Sequence, residues 1–353
     1  MKKCSYCGAE YSDDAIVCAT DKTPLARAPD LPESDDSEEI IVPPVEELAG
    51  LDMGFSIAEG FSRPDWKTIR QFVSNQIAKD DLSAAWNYIA TIWLTTLAED
   101  LGGESRVYQT RRFTCLSDLG PEITKTLLEY AETVVQLIRN GLKEAAWTDF
   151  YGKHVLLFFA DPDDYYAYIS YHHPDGTHIL SRGIFLRAGY AHIALPFVDT
   201  GSAQRTLAHE LCHNLLCHLR IPLWLNEGIA VEVQYQTSGR ALIVDLEMAE
   251  RQRNHWNETT IQSFWSGKSY NIPGDDSELS YELGHILVRL LSERNPDFIN
   301  FVKIADWRDA GQDASQSILG QDLGEVLGGF LGPGNWRPQR KAIAEQQKAK
   351  ATG

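Results

Sequence analysis

His209-Glu210-Leu211-Cys212-His213 holds the residue types best suited to chemistry in this chain. These positions lie in an apolar-periodic run from Gln204 to Arg220, and that pattern predicts a helix. On a helix, residues four apart share a face and stand about 6 Å apart along the axis. His209 and His213 can therefore offer two neutral imidazoles to one zinc ion. Glu210, offset by one position, sits beside such a metal without binding it, where a carboxylate can act as general base to a metal-bound water. A catalytic zinc takes three protein ligands and keeps one position open, so a third ligand must come from elsewhere.

Ile221-Pro222-Leu223-Trp224-Leu225-Asn226-Glu227-Gly228-Ile229-Ala230 follows, with thirteen residues between His213 and Glu227. Pro222 is expected to end the first helix. A second apolar stretch begins near Trp224 and lets the Glu227 carboxylate return to the metal. The His-Glu-x-x-His run and the Trp-Leu-Asn-Glu-Gly run together resemble the gluzincin metallopeptidases, whose third ligand is a glutamate on the helix after the motif helix. The resemblance implies a catalytic Zn2+ on His209, His213 and Glu227, with Glu210 as general base and a peptide or protein as substrate. The competing reading is a helix with two exposed histidines and a solvated Glu227. It leaves unexplained why all three ligand types recur at workable spacing.

Peptide hydrolysis builds negative charge on the carbonyl oxygen, and a donor beside the metal stabilises it. Gluzincins commonly present a tyrosine from a later helix, and Tyr281, 54 positions after Glu227, loosely resembles it. Tyr281-Glu282-Leu283-Gly284-His285 is expected to open a helix whose other face is apolar through Leu283, Ile286, Leu287 and Leu290. Tyr281 and His285 are four apart and share a face, so either is a candidate donor. A core or rim tyrosine is the other reading of Tyr281. Glu232 either orients a metal ligand from outside or belongs to a solvated face. His218, His172, His173 and His178 are expected to be surface or hydrogen-bonded histidines.

A second cluster stands at the N-terminus. Cys4-x2-Cys7 and, after ten more residues, Cys18-Ala19-Thr20-Asp21 form two pairs with the spacing of a structural zinc knuckle. With Tyr11-Ser12-Asp13-Asp14 between them, the pairs resemble bacterial zinc-ribbon leaders, which implies a structural Zn2+ on Cys4, Cys7, Cys18 and Asp21. Asp21 stands where a cysteine is usual, which leaves open whether it completes the site; a reduced, cysteine-bearing tail is the alternative. Cys115, Cys212 and Cys217 are scattered, and the last two, five apart on one helix, point to different faces. A reducing, cytoplasmic compartment is expected.

The elements that must position these groups follow from periodicity. Residues 1–27 form the ribbon-like segment and 28–50 a proline-punctuated linker. Eight acids and no base fall between Asp30 and Ala49, so much of the net charge of −18 sits in that linker. Residues 51–103 show helical spacing, with their aromatics in the core. From 104 to 332 the expected order is a strand at Arg106–Leu116, a long helix at Pro121–Ala146 and a strand at His154–Ala160. A short helix at Asp163–Ser170, one or two strands at Gly183–Leu195 and the motif helix follow. Zincins of this layout pair an edge strand with the substrate backbone, a role that falls to Gly183–Leu195 by analogy. Residues 333–353 are expected to be a flexible tail.

The expected fold class is thus α+β: a zincin-like catalytic domain, sheet first and helices after, behind a small zinc ribbon. No apolar run of eighteen residues exists, so no membrane span is expected. The N-terminus has no apolar segment of the kind a secretory signal needs. An acidic body disfavours nucleic acid as a partner. Zinc-dependent peptide-bond hydrolysis is the expected activity. One alternative is a catalytically weak or inactive peptidase fold that binds partners through its ribbon, and another is a purely structural metal. An intact Glu210 argues against the first, since merely holding zinc requires no carboxylate there.

Overall fold

A five-stranded mixed sheet and a body of packed helices make this an α+β protein in the computed structural model, which describes residues 2–3, 10–11, 48, 50–146, 152–173 and 182–351. Cys4, Cys7, Cys18 and Asp21 lie outside the described residues, as do His178 and the acidic linker apart from Leu48 and Gly50. The backbone separates into two units. One holds the described residues of 30–137 and 148–214. The other holds those of 138–147 and 215–353 with the antiparallel pair β1 (Lys2–Lys3) and β2 (Glu10–Tyr11).

The first unit starts with a hairpin, β3 (Ser56–Ala58) and β4 (Phe61–Arg63), followed by α1 (Trp66–Gln76) and α2 (Leu82–Leu101). Asp65 caps α1, accepting from the Lys67 and Thr68 amides. The sheet runs β5 (Arg106–Gln109), β6 (Phe113–Ser117), β7 (His154–Phe159), β9 (His192–Pro196) and β8 (Ile184–Leu186), in that spatial order. β6, β7 and β9 are parallel and buried at every residue. Helices on both faces require such continuous apolar strands, and α3 (Pro121–Leu142) and α4 (Pro162–Ser170) make the crossovers. The 51–103 segment shares this core: Ile69, Val73, Ile89, Trp93 and Leu97 pack in one cluster with Leu157, Phe159 and Tyr168.

Two expected elements change form here. Arg106–Leu116 is a hairpin rather than one strand, since β5 returns antiparallel onto β6. Glu132 on α3 fixes the turn by accepting from the Thr110 hydroxyl at 2.7 Å and the Arg112 amide at 3.0 Å, while pairing with the Arg112 guanidinium. The expected helix to Ala146 ends at Leu142, and Lys143, with φ of 47°, opens a 3-10 turn.

The second unit is helical: α6 (Leu223–Thr237), α7 (Leu246–His255), α8 (Ile261–Trp265), α9 (Asp275–Ser292) and α10 (Phe298–Ile304). A short α11 (Gln312–Ala314), α12 (Leu323–Leu331) and α13 (Arg340–Ala351) complete it. Residues 333–345, read from sequence as part of a flexible tail, are docked. Trp336 and Ile343 are buried, and the Trp336 carbonyl accepts from the Trp265 indole at 2.8 Å. Apolar anchors, not composition, decide this, because polar residues around one buried Trp and one Ile suffice to seat a segment. Among the described residues no helix is long and apolar enough to cross a membrane.

Candidate metal centre

The motif lies on α5 (Thr200–Leu216). At its start the Asp199 carboxylate accepts from the Ser202 amide at 2.8 Å and the Ser202 hydroxyl at 2.6 Å. Ala203, Leu207, Ala208, Leu211, Cys212 and Leu215 are buried and seat the helix by its apolar side. His209 and His213 remain half-buried, with ring centroids 4.6 Å apart and planes nearly perpendicular. α5 stops at Leu216, short of the expected Arg220, in a turn closed by the Leu219 amide on the Leu216 carbonyl at 2.9 Å. Pro222 does not end this helix. It stands just before the first turn of α6, where the backbone N–H it lacks would have no helical partner.

α6 is anchored by its second residue. Trp224 is fully buried, sits edge-on to Trp265 at 5.9 Å, and donates its indole N–H to the Ala310 carbonyl at 2.9 Å. One turn on, α6 crosses α9 at two glycines. A Cβ on Gly228 would lie 2.5 Å from the Gly284 carbonyl oxygen, and one on Gly284 would lie 3.0 Å from the Trp224 carbonyl oxygen. The absent side chains let the two backbones touch. Glu227, beside this crossing, is buried.

His209, His213 and Glu227 are the group that could hold a metal ion among the described residues: one ligand atom from each, all within 4.8 Å of one another. Two imidazoles and a carboxylate are a donor set for a borderline divalent cation. Glu210 is buried next to this group in the sequence. His218 is exposed and lies outside the cluster. Among the described residues Cys115, Cys212 and Cys217 form no disulfide, and the first two are buried.

Tyr281 does not open its helix, which begins at Asp275, and is therefore held within α9 rather than at its end. Its ring is half-buried and packs edge-on against Tyr270 at 5.0 Å. His285 is buried against α6, where its Nε2 lies 2.6 Å from Glu232. A carboxylate can only accept, so the imidazole donates. Burial alone would raise the Glu232 carboxyl, but hydrogen bonds from His285 and Gln236 and the nearby Arg289 hold it below its usual value. Glu232 thus links α6 to α9 through His285.

Sequence reasoning missed Tyr270. This buried phenol donates to the Ser280 carbonyl at 2.9 Å. Burial pushes it well above the usual tyrosine range, and the charges of Glu227 and Tyr281 add to the shift, so the three groups are neighbours. The only signal available was the pair of glycines on two apolar helical stripes, which marks a close crossing without saying what fills its mouth. Comparison with models of known protein families, with curated proteins and with solved structures finds no match to this chain.

Proposed function

We propose that this chain is a zinc-dependent peptide hydrolase of the gluzincin kind, with a zincin-like fold and a small N-terminal zinc ribbon on Cys4, Cys7, Cys18 and Asp21. The observation that carries this reading is the convergence of His209, His213 and Glu227 within 4.8 Å, with the Glu210 carboxylate buried at the next position. A tetrahedral zinc with bonds of about 2.0–2.1 Å sets its ligand atoms about 3.3 Å apart, so rotating the side chains by roughly an ångström closes the set.

Zinc held there would polarise a peptide carbonyl and lower the pKa of a bound water toward neutrality. With zinc held there, Glu210 would be the group that holds and moves the proton between the water and the leaving amine, a role that needs a carboxylate near the metal and not on it. Tyr281 donates its phenol hydrogen to the carbonyl oxygen as charge develops. The substrate backbone adds to the edge of β8, the last strand of the sheet among the described residues. Gly183 supports that route. A Cβ there would come 2.3 Å from the Thr206 methyl, so β8 begins directly against α5.

The test is Glu210→Gln in the full chain, assayed on an unstructured protein with zinc content measured in parallel. Turnover should fall by about 10²- to 10⁴-fold, the usual worth of a general base, while catalytic zinc is retained. Undiminished turnover would remove the mechanism, and loss of the metal would make Glu210 a ligand instead.

A further inference from the structure

The Glu232–His285 bond joins the two helices that bear Glu227 and Tyr281. Glu232 stands five residues after Glu227 on α6, and His285 stands one turn after Tyr281 on the same face of α9. We propose that Glu232 and His285 are positioning residues that fix Tyr281 relative to Glu227, and so set the reach of the phenol to the reacting carbonyl oxygen. This inference rests on the peptidase reading above.

Four observations carry it. The bond is short, 2.6 Å, and one partner, His285, is only 1 % exposed. The Tyr235 ring lies edge-on to the imidazole at 4.7 Å, so the imidazole is held on its face as well as at its nitrogen. The crossing at Gly228 and Gly284 removes the side chains that would otherwise space the helices, so a cross-link beside it has little slack. Finally, Tyr281 is gripped from its other side. Its ring rests on Tyr270, whose hydroxyl is tied to the Ser280 carbonyl, and the Ser280 hydroxyl reaches Ser269 at 2.6 Å. The turn of α9 that carries Tyr281 is thus tied both to α6 and to the Ser269–Asn271 turn. On the outer side, Glu232 is itself steadied by Gln236 at 2.8 Å. Neither residue of the pair belongs to the metal-binding group, so its effect on chemistry passes through Tyr281.

A double-mutant cycle in the full, zinc-loaded chain tests this. Glu232→Gln and His285→Gln are each combined with Tyr281→Phe, and kcat, KM, melting temperature and Zn2+ affinity by chelator competition are measured. Each positioning variant should lower kcat about tenfold with KM and Zn2+ affinity held within about twofold, and should cost nothing further once Tyr281 is Phe. Losses that multiply in the double variants would overturn the proposal, as would a drop in Zn2+ affinity beyond about tenfold, which would route the pair through Glu227. Glu232→Gln keeps a hydrogen-bond acceptor opposite His285, so it serves if His285→Gln does not fold. A wild-type chain that binds zinc but hydrolyses no peptide overturns the peptidase reading itself, a result separate from any outcome of the cycle.

Discussion

His192 in the sheet-bearing unit and His285 in the helical unit are each 1 % exposed, yet their partners are of opposite kinds. His192, on β9, lies between the Tyr190 carbonyl at 2.7 Å and the Tyr168 hydroxyl at 2.9 Å. A carbonyl can only accept, so Nδ1 carries the hydrogen and Nε2 receives the phenol's. The Arg63 guanidinium stacks on the Tyr168 ring at 4.3 Å and donates to the Tyr168 carbonyl at 2.9 Å. Burial pushes the His192 imidazole down to about 3 despite the Tyr190 carbonyl, and His172 and Arg63 push the same way. His154, on β7, is pushed down to about 4, again mainly by burial. His285 is as buried but faces a carboxylate whose outer side reaches water. Strands covered on both faces have room only for neutral imidazole, whereas a helix crossing can keep a charge at the rim of the core. The buried histidines of these strands thus serve packing, whereas the Glu232–His285 pair at the helical crossing keeps a carboxylate at the rim.

The largest effect should separate the two glutamates of α6. Glu227→Ala is expected to weaken Zn2+ binding by more than about 100-fold, beyond the 10- to 100-fold typical of outer partners of a metal ligand. Glu232→Ala should leave it nearly unchanged. Equal affinities by chelator competition would mean that the third ligand lies elsewhere.

Acid should then set the two units apart. A histidine whose folded pKa lies below its unfolded value binds fewer protons when folded, so its contribution is complete above about pH 6.5 and is lost as pH falls toward the folded value. At pH 5 the loss is about 2 kcal/mol for each of His154 and His192. Hydrogen exchange, corrected for intrinsic rates, should show β7 and β9 losing protection between pH 7 and pH 5, and His192→Asn should flatten that dependence. Unchanged strand protection at pH 5 would erase the contrast drawn above.

The smallest contrast, a difference of about 1–2 kcal/mol, concerns two glycines in tight contacts. Gly228→Ala pushes a Cβ against a backbone carbonyl that cannot move, and should cost about 2–3 kcal/mol in urea unfolding. Gly183→Ala meets the Thr206 methyl, which can swing to a second rotamer, and should cost about 1 kcal/mol. Equal costs would mean that the α6–α9 crossing is no tighter than the start of β8.

Elements with one strong periodicity were legible in the sequence. α3, β7 and α5 stand close to where their patterns put them, since a continuous apolar run or a helical stripe leaves few alternatives. What failed were boundaries set by distant partners. The Arg106–Leu116 strand folds back because Glu132, on another element, holds its turn. The tail docks because Trp336 and Ile343 find a buried seat. Tyr270 carried no motif, and Glu232 could not be told from a solvated acid, since both depend on which helix lies opposite.

By itself, then, the sequence determined the chemistry available: two histidines four apart, a glutamate between them, a further glutamate at Glu227, and helices and strands to carry them. Local periodicity and ligand type are properties of short stretches, so they survive without a fold. Only the tertiary structure decided which groups meet. Gly228 and Gly284 become meaningful when their backbones touch, and His285 acquires Glu232 because α6 and α9 cross there. Contacts between residues far apart in the chain depend on packing, and packing is not written in any single segment.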